Sequence, residues 1–276
     1  MKTAGLWVLA LLSAGLTCAA NASGSAVTPT VDQILAQYLE ARGGAAAWSK
    51  VHTLGWIGHI ESGLPGSPKV PFLLLFQRPG ATHFEVTAQN QHSMRIFDGA
   101  RGWRSTPGGE TGTVVNEYTP EEISAARDSG GLDGPLVNSA AKGIRVVLDR
   151  LENIESRDAW RLNVTLPSGQ IQTHWIDANT YLELRYDRNS RNVLGMATKI
   201  SVYYRNYQSI GGLKLPLLVE TQAEGGANSD RMIIEKVAIN PTLQANTFVR
   251  PDLPAAKHGG VMVNIPGPES PGAARR

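Results

Sequence analysis

The chain has 276 residues, 42% of them hydrophobic, and its 26 basic and 24 acidic side chains leave a formal net charge of +2. Such a balance argues against a nucleic-acid or polyanion partner. The length suits one large all-β domain or two small ones, and a single cysteine, Cys18, excludes a disulfide framework.

The first residues read as a secretory signal peptide. Lys2 supplies a positive start, Leu6 to Leu16 is apolar, and Ala20-Asn21-Ala22 ends in small residues, so cleavage is expected after Ala22. The rival reading is a lipoprotein acylated at Cys18, but Gly15, Leu16 and Thr17 stand one place out of register for that signal. Cleavage after Ala22 removes Lys2, leaving 25 basic against 24 acidic residues and no cysteine, and directs the protein to the periplasm. No later stretch offers the roughly eighteen apolar residues of a membrane span, so none is expected in the mature chain. Residues 23–253 read as one domain, and the Ala/Pro/Gly-rich end, 254–276, as a mostly flexible tail.

The domain opens with a helix. Thr30 and Gln33 form a capping box, Val31, Ile34, Leu35, Tyr38 and Leu39 make one apolar stripe, and Gly43-Gly44 stops it. A short helical piece at 45–50 carries Trp48 toward the core. Strands are expected near 53–61, 70–78, 82–89 and 93–97, and the unbroken run Phe72 to Phe76 requires cover on both faces. Thr119, Pro120, Glu121 and Glu122 then start a helix that ends near Ser129, and a second is expected from Gly134 or Pro135 to Lys142. Seven more strands follow near 144–153, 159–166, 170–177, 181–188, 199–206, 215–221 and 231–239. Trp160, Leu162, Val164 and Leu166 show the period of two that gives an antiparallel sheet one apolar face. The expected fold class is mainly β (α+β): a curved antiparallel sheet of about eleven strands, half open, with helices over its concave face.

The order of motifs carries a resemblance. Ala41-Arg42-Gly43-Gly44 precedes Trp48, and Phe97-Asp98-Gly99 precedes Gly102-Trp103. Trp175-Ile176-Asp177 leads through Thr180-Tyr181-Leu182 to Leu184-Arg185. Tyr203-Tyr204-Arg205-Asn206-Tyr207 leads through Gly211-Gly212-Leu213 to Leu215-Pro216, and Val237 to Asn240 and Phe248 to Pro251 close the set. From Val31 to Pro251 the chain resembles the outer-membrane lipoprotein-sorting proteins of the LolA/LolB-like superfamily. That resemblance implies an eleven-stranded half-barrel, plugged in part by helices, whose concave face accepts acyl chains or another lipid-like ligand.

Residues expected to line such an apolar cavity are Trp56, Phe72, Leu74, Phe76, Trp160, Leu162, Val164, Trp175, Tyr186 and Tyr204, each of which serves equally well as core. The implied function is a periplasmic carrier or chaperone for a lipid, lipoprotein acyl chains or another hydrophobic molecule, with an envelope protein as donor or acceptor. The alternative is an envelope interaction protein with a helix-filled core. A serine hydrolase ranks third: Asp128-Ser129-Gly130-Gly131 is similar to the surroundings of a trypsin-like nucleophile, but Arg127 stands where that family has glycine. Ser129 also falls where helix-stop residues belong. The six histidines lack metal-ligand spacing, and His83, Glu85 and His92 read as solvated residues of a hairpin face. Neither catalytic residue, metal nor cofactor is assigned.

Overall fold

The computed structural model describes residues 28–88, 91–107, 113–191 and 195–251; the signal-peptide segment with Cys18 and the tail 254–276 lie outside the described residues. Among those described, no helix is long and apolar enough to cross a membrane.

Helix α1 (Val31–Ala41) carries the capping box read from the sequence, with Gln33 N donating to Thr30 Oγ1 at 3.2 Å and Thr30 N to Gln33 Oε1 at 2.8 Å. Ile34 and Tyr38 are its buried face. After a one-turn α2 (Ala45–Trp48) come β1 (Thr53–Glu61), β2 (Val70–Gln77), β3 (Ala81–Ala88), β4 (Gln91–Phe97), β5 (Gly102–Pro107) and β6 (Thr113–Glu117). Helix α3 (Pro120–Asp128) leads to a second series: β7 (Arg145–Ile154), β8 (Arg157–Thr165), β9 (Ile171–Asp177), β10 (Glu183–Arg191), β11 (Ala197–Ile210), β12 (Leu213–Ala223) and β13 (Ser229–Ile239).

Two expectations change. The sheet has thirteen strands among the described residues, because the segment after Asp98-Gly99 forms the hairpin β5–β6. The helix expected between Gly134 and Lys142 is replaced by two 3-10 turns, Gly131–Asp133 and Ala140–Lys142. Gly130, Gly131, Gly134 and Asn138 all sit at positive φ, which interrupts a right-handed helix.

Each series is a meander, and the two are joined edge to edge by β1 against β13, giving the order β6-β5-β4-β3-β2-β1-β13-β12-β11-β10-β9-β8-β7. β6 and β7 are therefore the two open edges of one curved sheet that does not close. The chain passes from one edge to the other only through residues 118–144, which cross the inner face. That crossing buries Leu132 against Trp48, Leu54, Leu213 and Leu215, and Leu136 and Val137 against Ile34, Leu162 and Val164. The outer face is covered at β2–β3 by the segment after β13: Leu75 is fully buried, and His83, itself 2% exposed, meets the Thr247 carbonyl at 2.7 Å. His83 is thus not the solvated residue the sequence suggested. His83 and His92, on either side of Glu85, hold its carboxyl below the usual carboxylate range. Among the described residues no group of three or more His, Cys, Asp or Glu is placed to hold a metal ion.

The C-terminus of α1 is fixed on the β11–β12 turn, where Lys214 N donates to Arg42 O at 2.8 Å. Gly43 lies at φ +115°, and a Cβ there would stand 2.2 Å from the Gly212 carbonyl oxygen. Gly43→Ala is expected to lower stability by about 2–3 kcal/mol, from backbone strain and the lost approach. Gly80→Ala, where a Cβ meets nothing within 4 Å, is expected to stay within about 0.5 kcal/mol, and urea titration of the two variants measures both effects.

Candidate functional site: an inner cavity with an apolar floor and a polar wall

Strand pairing decides which side chains share the inner face. One transverse row runs Leu148–Leu162–His174–Tyr186–Val202–Thr221, and another Val237–Trp56–Leu74–Phe84. The crossing segment and α1 cover only part of this face. Between them and the sheet remains a cavity of about 370 Å³, within the range of small-ligand sites. Its floor is apolar: Trp56, Leu74 and Phe76, with Val219 and Met232 beyond, and Trp56 meets Phe76 edge-on at 5.6 Å.

The opposite wall is polar. Tyr186 stacks on His174 at 5.3 Å and on Tyr204 at 6.0 Å. His174 is buried; its Nδ1 faces Glu183 Oε1 at 2.6 Å, its Nε2 faces Gln172 Oε1 at 3.0 Å, and Tyr207 donates its hydroxyl to the Glu183 carbonyl at 2.9 Å. At the α1 end, the Arg42 guanidinium lies 4.2 Å from the Trp48 ring centre, and its Nη1 donates to Tyr38 OH at 3.1 Å and Asp133 O at 3.2 Å. Arg78 grips the Asp133 carboxylate with both terminal nitrogens and also donates to the Val51 and Trp48 carbonyls, which pins the first 3-10 turn to α2.

Burial pushes the Tyr38 phenol up to about 12, only partly opposed by Arg42, and pushes Tyr186, Tyr204 and Tyr207 upward as well. All four phenols are therefore neutral hydrogen-bonding groups at physiological pH. The three carboxylates of the wall are already engaged: Asp133 by Arg78, Glu183 by His174 and Asp128 by the Ser168 hydroxyl. Arg42, by contrast, has no carboxylate within ion-pair distance among the described residues.

The residues expected to line a cavity fall into three places. Trp56, Leu74, Phe76, Tyr186 and Tyr204 do line it. Phe72 lies on the same face one pair further along, buried beside Phe84, while Leu162 and Val164 are completely buried under α1 with Trp160 at their margin. Trp175 is on the outer face, between Arg161 at 5.7 Å and Arg185 at 4.7 Å. Ser129 closes α3, its hydroxyl donating to the Ala126 carbonyl at 2.7 Å.

Tyr38, Arg42, His174, Glu183 and Tyr207 are cavity residues that strand periodicity did not indicate. For α1 the signal was present, since Tyr38 and Arg42 stand at i and i+4. For the strands it was hidden by local irregularities. A shift of register between Glu183 and Arg185 turns Glu183 inward, and Asn206, at φ +51°, drops out of the otherwise continuous β11–β12 pairing, next to which Tyr207 also lines the cavity.

No family model and no curated protein matches the chain. Solved structures do. A crystal structure of a DUF1329 family protein from Desulfovibrio piger superimposes with a TM-score of 0.56 at 12% identity, covering 80% of this chain and 98% of the other. A Vibrio parahaemolyticus domain named for outer membrane lipoprotein sorting gives 0.54 at 13% identity, over 80% and 96%. A LolA superfamily protein from Nitrosomonas europaea gives 0.52 at 14% identity, over 80% and 98%. The chain has a LolA-like fold. Within this LolA-like fold, the Arg42, Tyr38 and Trp48 cluster sits where the first helix meets the crossing segment.

Proposed function

We propose that this protein is a periplasmic carrier that shelters a hydrophobic ligand, a lipid or acyl chain, in the inner cavity, handing it between envelope partners and catalysing no reaction. The observation that carries this reading is the cavity itself: about 370 Å³ between the sheet and the crossing segment, floored by Trp56, Leu74 and Phe76 and open at its side. Apolar surface kept from closing in an exported protein serves a ligand, because collapse onto it would otherwise be favourable. The LolA-like fold and a leader of signal-peptide type support export and carriage. No wall residue is arranged as a nucleophile with its base: the His174 nitrogens are occupied by Glu183 and Gln172, and Ser129 bonds its own helix.

Native mass spectrometry of the mature protein, purified from periplasm without detergent and paired with lipid extraction, tests this. The expected result is a stoichiometric co-purifying lipid or acylated peptide. A ligand held only by the folded state also raises the melting temperature in proportion to its concentration. A bare mass that stays bare after incubation with phospholipids and acylated peptides overturns the carrier reading in favour of an envelope interaction protein.

A further inference from the structure

We propose that the ligand is a fatty-acid-type amphiphile, one apolar chain bearing a carboxylate, and that the carboxylate sits inside the cavity on the free edge of the Arg42 guanidinium. The proposal rests on the carrier reading and adds the chemistry of the head to it.

Arg42 ends α1 without capping it. The Tyr38, Leu39 and Glu40 carbonyls take the backbone N–H groups of Arg42, Gly44 and Gly43, at 3.2, 3.0 and 2.9 Å. The side chain is free to turn toward the cavity, where its guanidinium carbon lies 4.2 Å from the Trp48 ring centre and 5.3 Å from that of Tyr38. Both of its hydrogen bonds, to Tyr38 OH and the Asp133 carbonyl, leave from Nη1. Nε and Nη2 donate to nothing among the described residues. Two N–H groups along one edge of a guanidinium match the two oxygens of a carboxylate.

The charge around this edge is positive. Arg78 and Lys142 belong to the same corner, and its one other carboxylate, Asp133, is gripped by Arg78. Lys142 Nζ donates to the Gly134 carbonyl at 2.7 Å, and burial lowers its pKa, with Asp133 opposing and Arg78 and Arg42 adding to the fall. Glu183, whose charge also reaches Arg42, is held by His174 at 2.6 Å. Leaving a half-buried guanidinium without a counter-charge is costly, and an anion on its free edge removes that cost.

Neutral donors complete the place for a head. The Tyr38 hydroxyl accepts from Arg42 and gives its own proton to no acceptor among the described residues, and the Tyr204 hydroxyl makes no hydrogen bond among them. The apolar floor of Trp56, Leu74 and Phe76 takes the chain. The other guanidinium of this cavity, Arg188, is placed differently: it pairs with Ile200 near the start of β11, whereas Tyr207 and Arg42 are at the strand's other end, and it interacts with the Tyr186 phenol.

Titration calorimetry on the mature full chain tests this with decanoate, decan-1-ol, decyl phosphate and acetate, each below any micelle concentration. Burial alone favours the alcohol, since a carboxylate resists leaving water. Decanoate is nevertheless expected to bind at least about tenfold tighter than decan-1-ol. Arg42→Gln is expected to erase that preference, Tyr204→Phe to weaken decanoate about three- to fivefold, and both to leave decan-1-ol within twofold. Arg188→Gln is expected to leave decanoate within twofold. Carbon NMR of carboxyl-labelled decanoate on the parent protein supplies a readout that does not depend on any variant folding. Beside Arg42 the bound carboxyl is expected to titrate below the free acid, whereas burial without a cation raises it. A raised bound pKa, or a loss on Arg188→Gln in place of Arg42→Gln, overturns the assignment of the head to Arg42. Decanoate binding no tighter than decan-1-ol overturns the anionic head and leaves the carrier standing. Decyl phosphate binding more than tenfold tighter than decanoate overturns the carboxylate, and acetate binding as tightly as decanoate makes the corner a free-anion site unconnected to the floor. Binding of none of the three chain-bearing probes removes the carrier reading itself.

Discussion

Leu162→Asp is expected to abolish cooperative folding at 25 °C, and Leu162→Ala to lower stability by about 2–5 kcal/mol. Leu162 is fully buried, packed with Ile34, Leu136, Val137 and Ile176 where α1 and the crossing segment meet β8. Alanine there forfeits the transfer free energy of the lost carbons and leaves a hole that rigid neighbours on three elements do not close. Aspartate adds several kcal/mol for a buried charge with no partner, against a total stability of about 5–15 kcal/mol for a domain. The adjoining Asn163, on the opposite face, is the internal control: Asn163→Asp is expected to change stability by less than about 1 kcal/mol. Urea unfolding followed by far-ultraviolet circular dichroism measures all three. A folded Leu162→Asp protein with near-parental stability would remove α1 from the core assigned to it.

The second large effect is on uptake rather than folding. Leu74→Glu places a carboxylate on the cavity floor between Trp56 and Phe84, its cross-strand partners. Leu74 faces open volume and is only partly buried, so the fold is expected to survive with a loss of about 1–2 kcal/mol. An apolar chain entering against that charge has to desolvate it, at a cost of about 3 kcal/mol or more, equivalent to at least about a hundredfold in affinity. Leu73→Glu, one residue away and pointing to the outer face, is expected to bind as the parent does. Displacement of a neutral fluorescent probe, N-phenyl-1-naphthylamine, reads both variants. Parental uptake by a folded Leu74→Glu protein would place the ligand elsewhere.

These paired controls work because alternation along a strand was legible in the sequence. Trp160, Leu162, Val164 and Leu166 share the inner face as their spacing indicates, and the double-sided run Phe72 to Phe76 buries Phe72 inward and Leu75 outward. The cap of α1 and the start of α3 were equally readable, because Thr30/Gln33 and Thr119/Glu122 are local chemistry. Alternation fails where a strand is irregular, which is how Glu183 and Tyr207 reached the cavity unannounced. It also fixes only relative faces: Trp175 is as apolar as its neighbours, yet it belongs to the outer row Arg161–Trp175–Arg185–Tyr203, where guanidinium groups stack on its ring. The hairpin β5–β6 was obscured by Arg104, Ser105 and Pro107, a composition poor in strand formers, and is held in place by pairing with β4.

The junction of β1 with β13 has a consequence for how the molecule is made. Within each meander every strand pairs with its sequence neighbour, so both halves assemble from short loops. Their union waits for Leu54 to find Ile239, and for β13 to be synthesised and delivered. During that interval the first meander presents β1 as a long unpaired edge, carrying Leu54, Trp56 and Ile57, to whatever strand comes by. The step most sensitive to crowding and to holding chaperones is therefore the docking of its two halves.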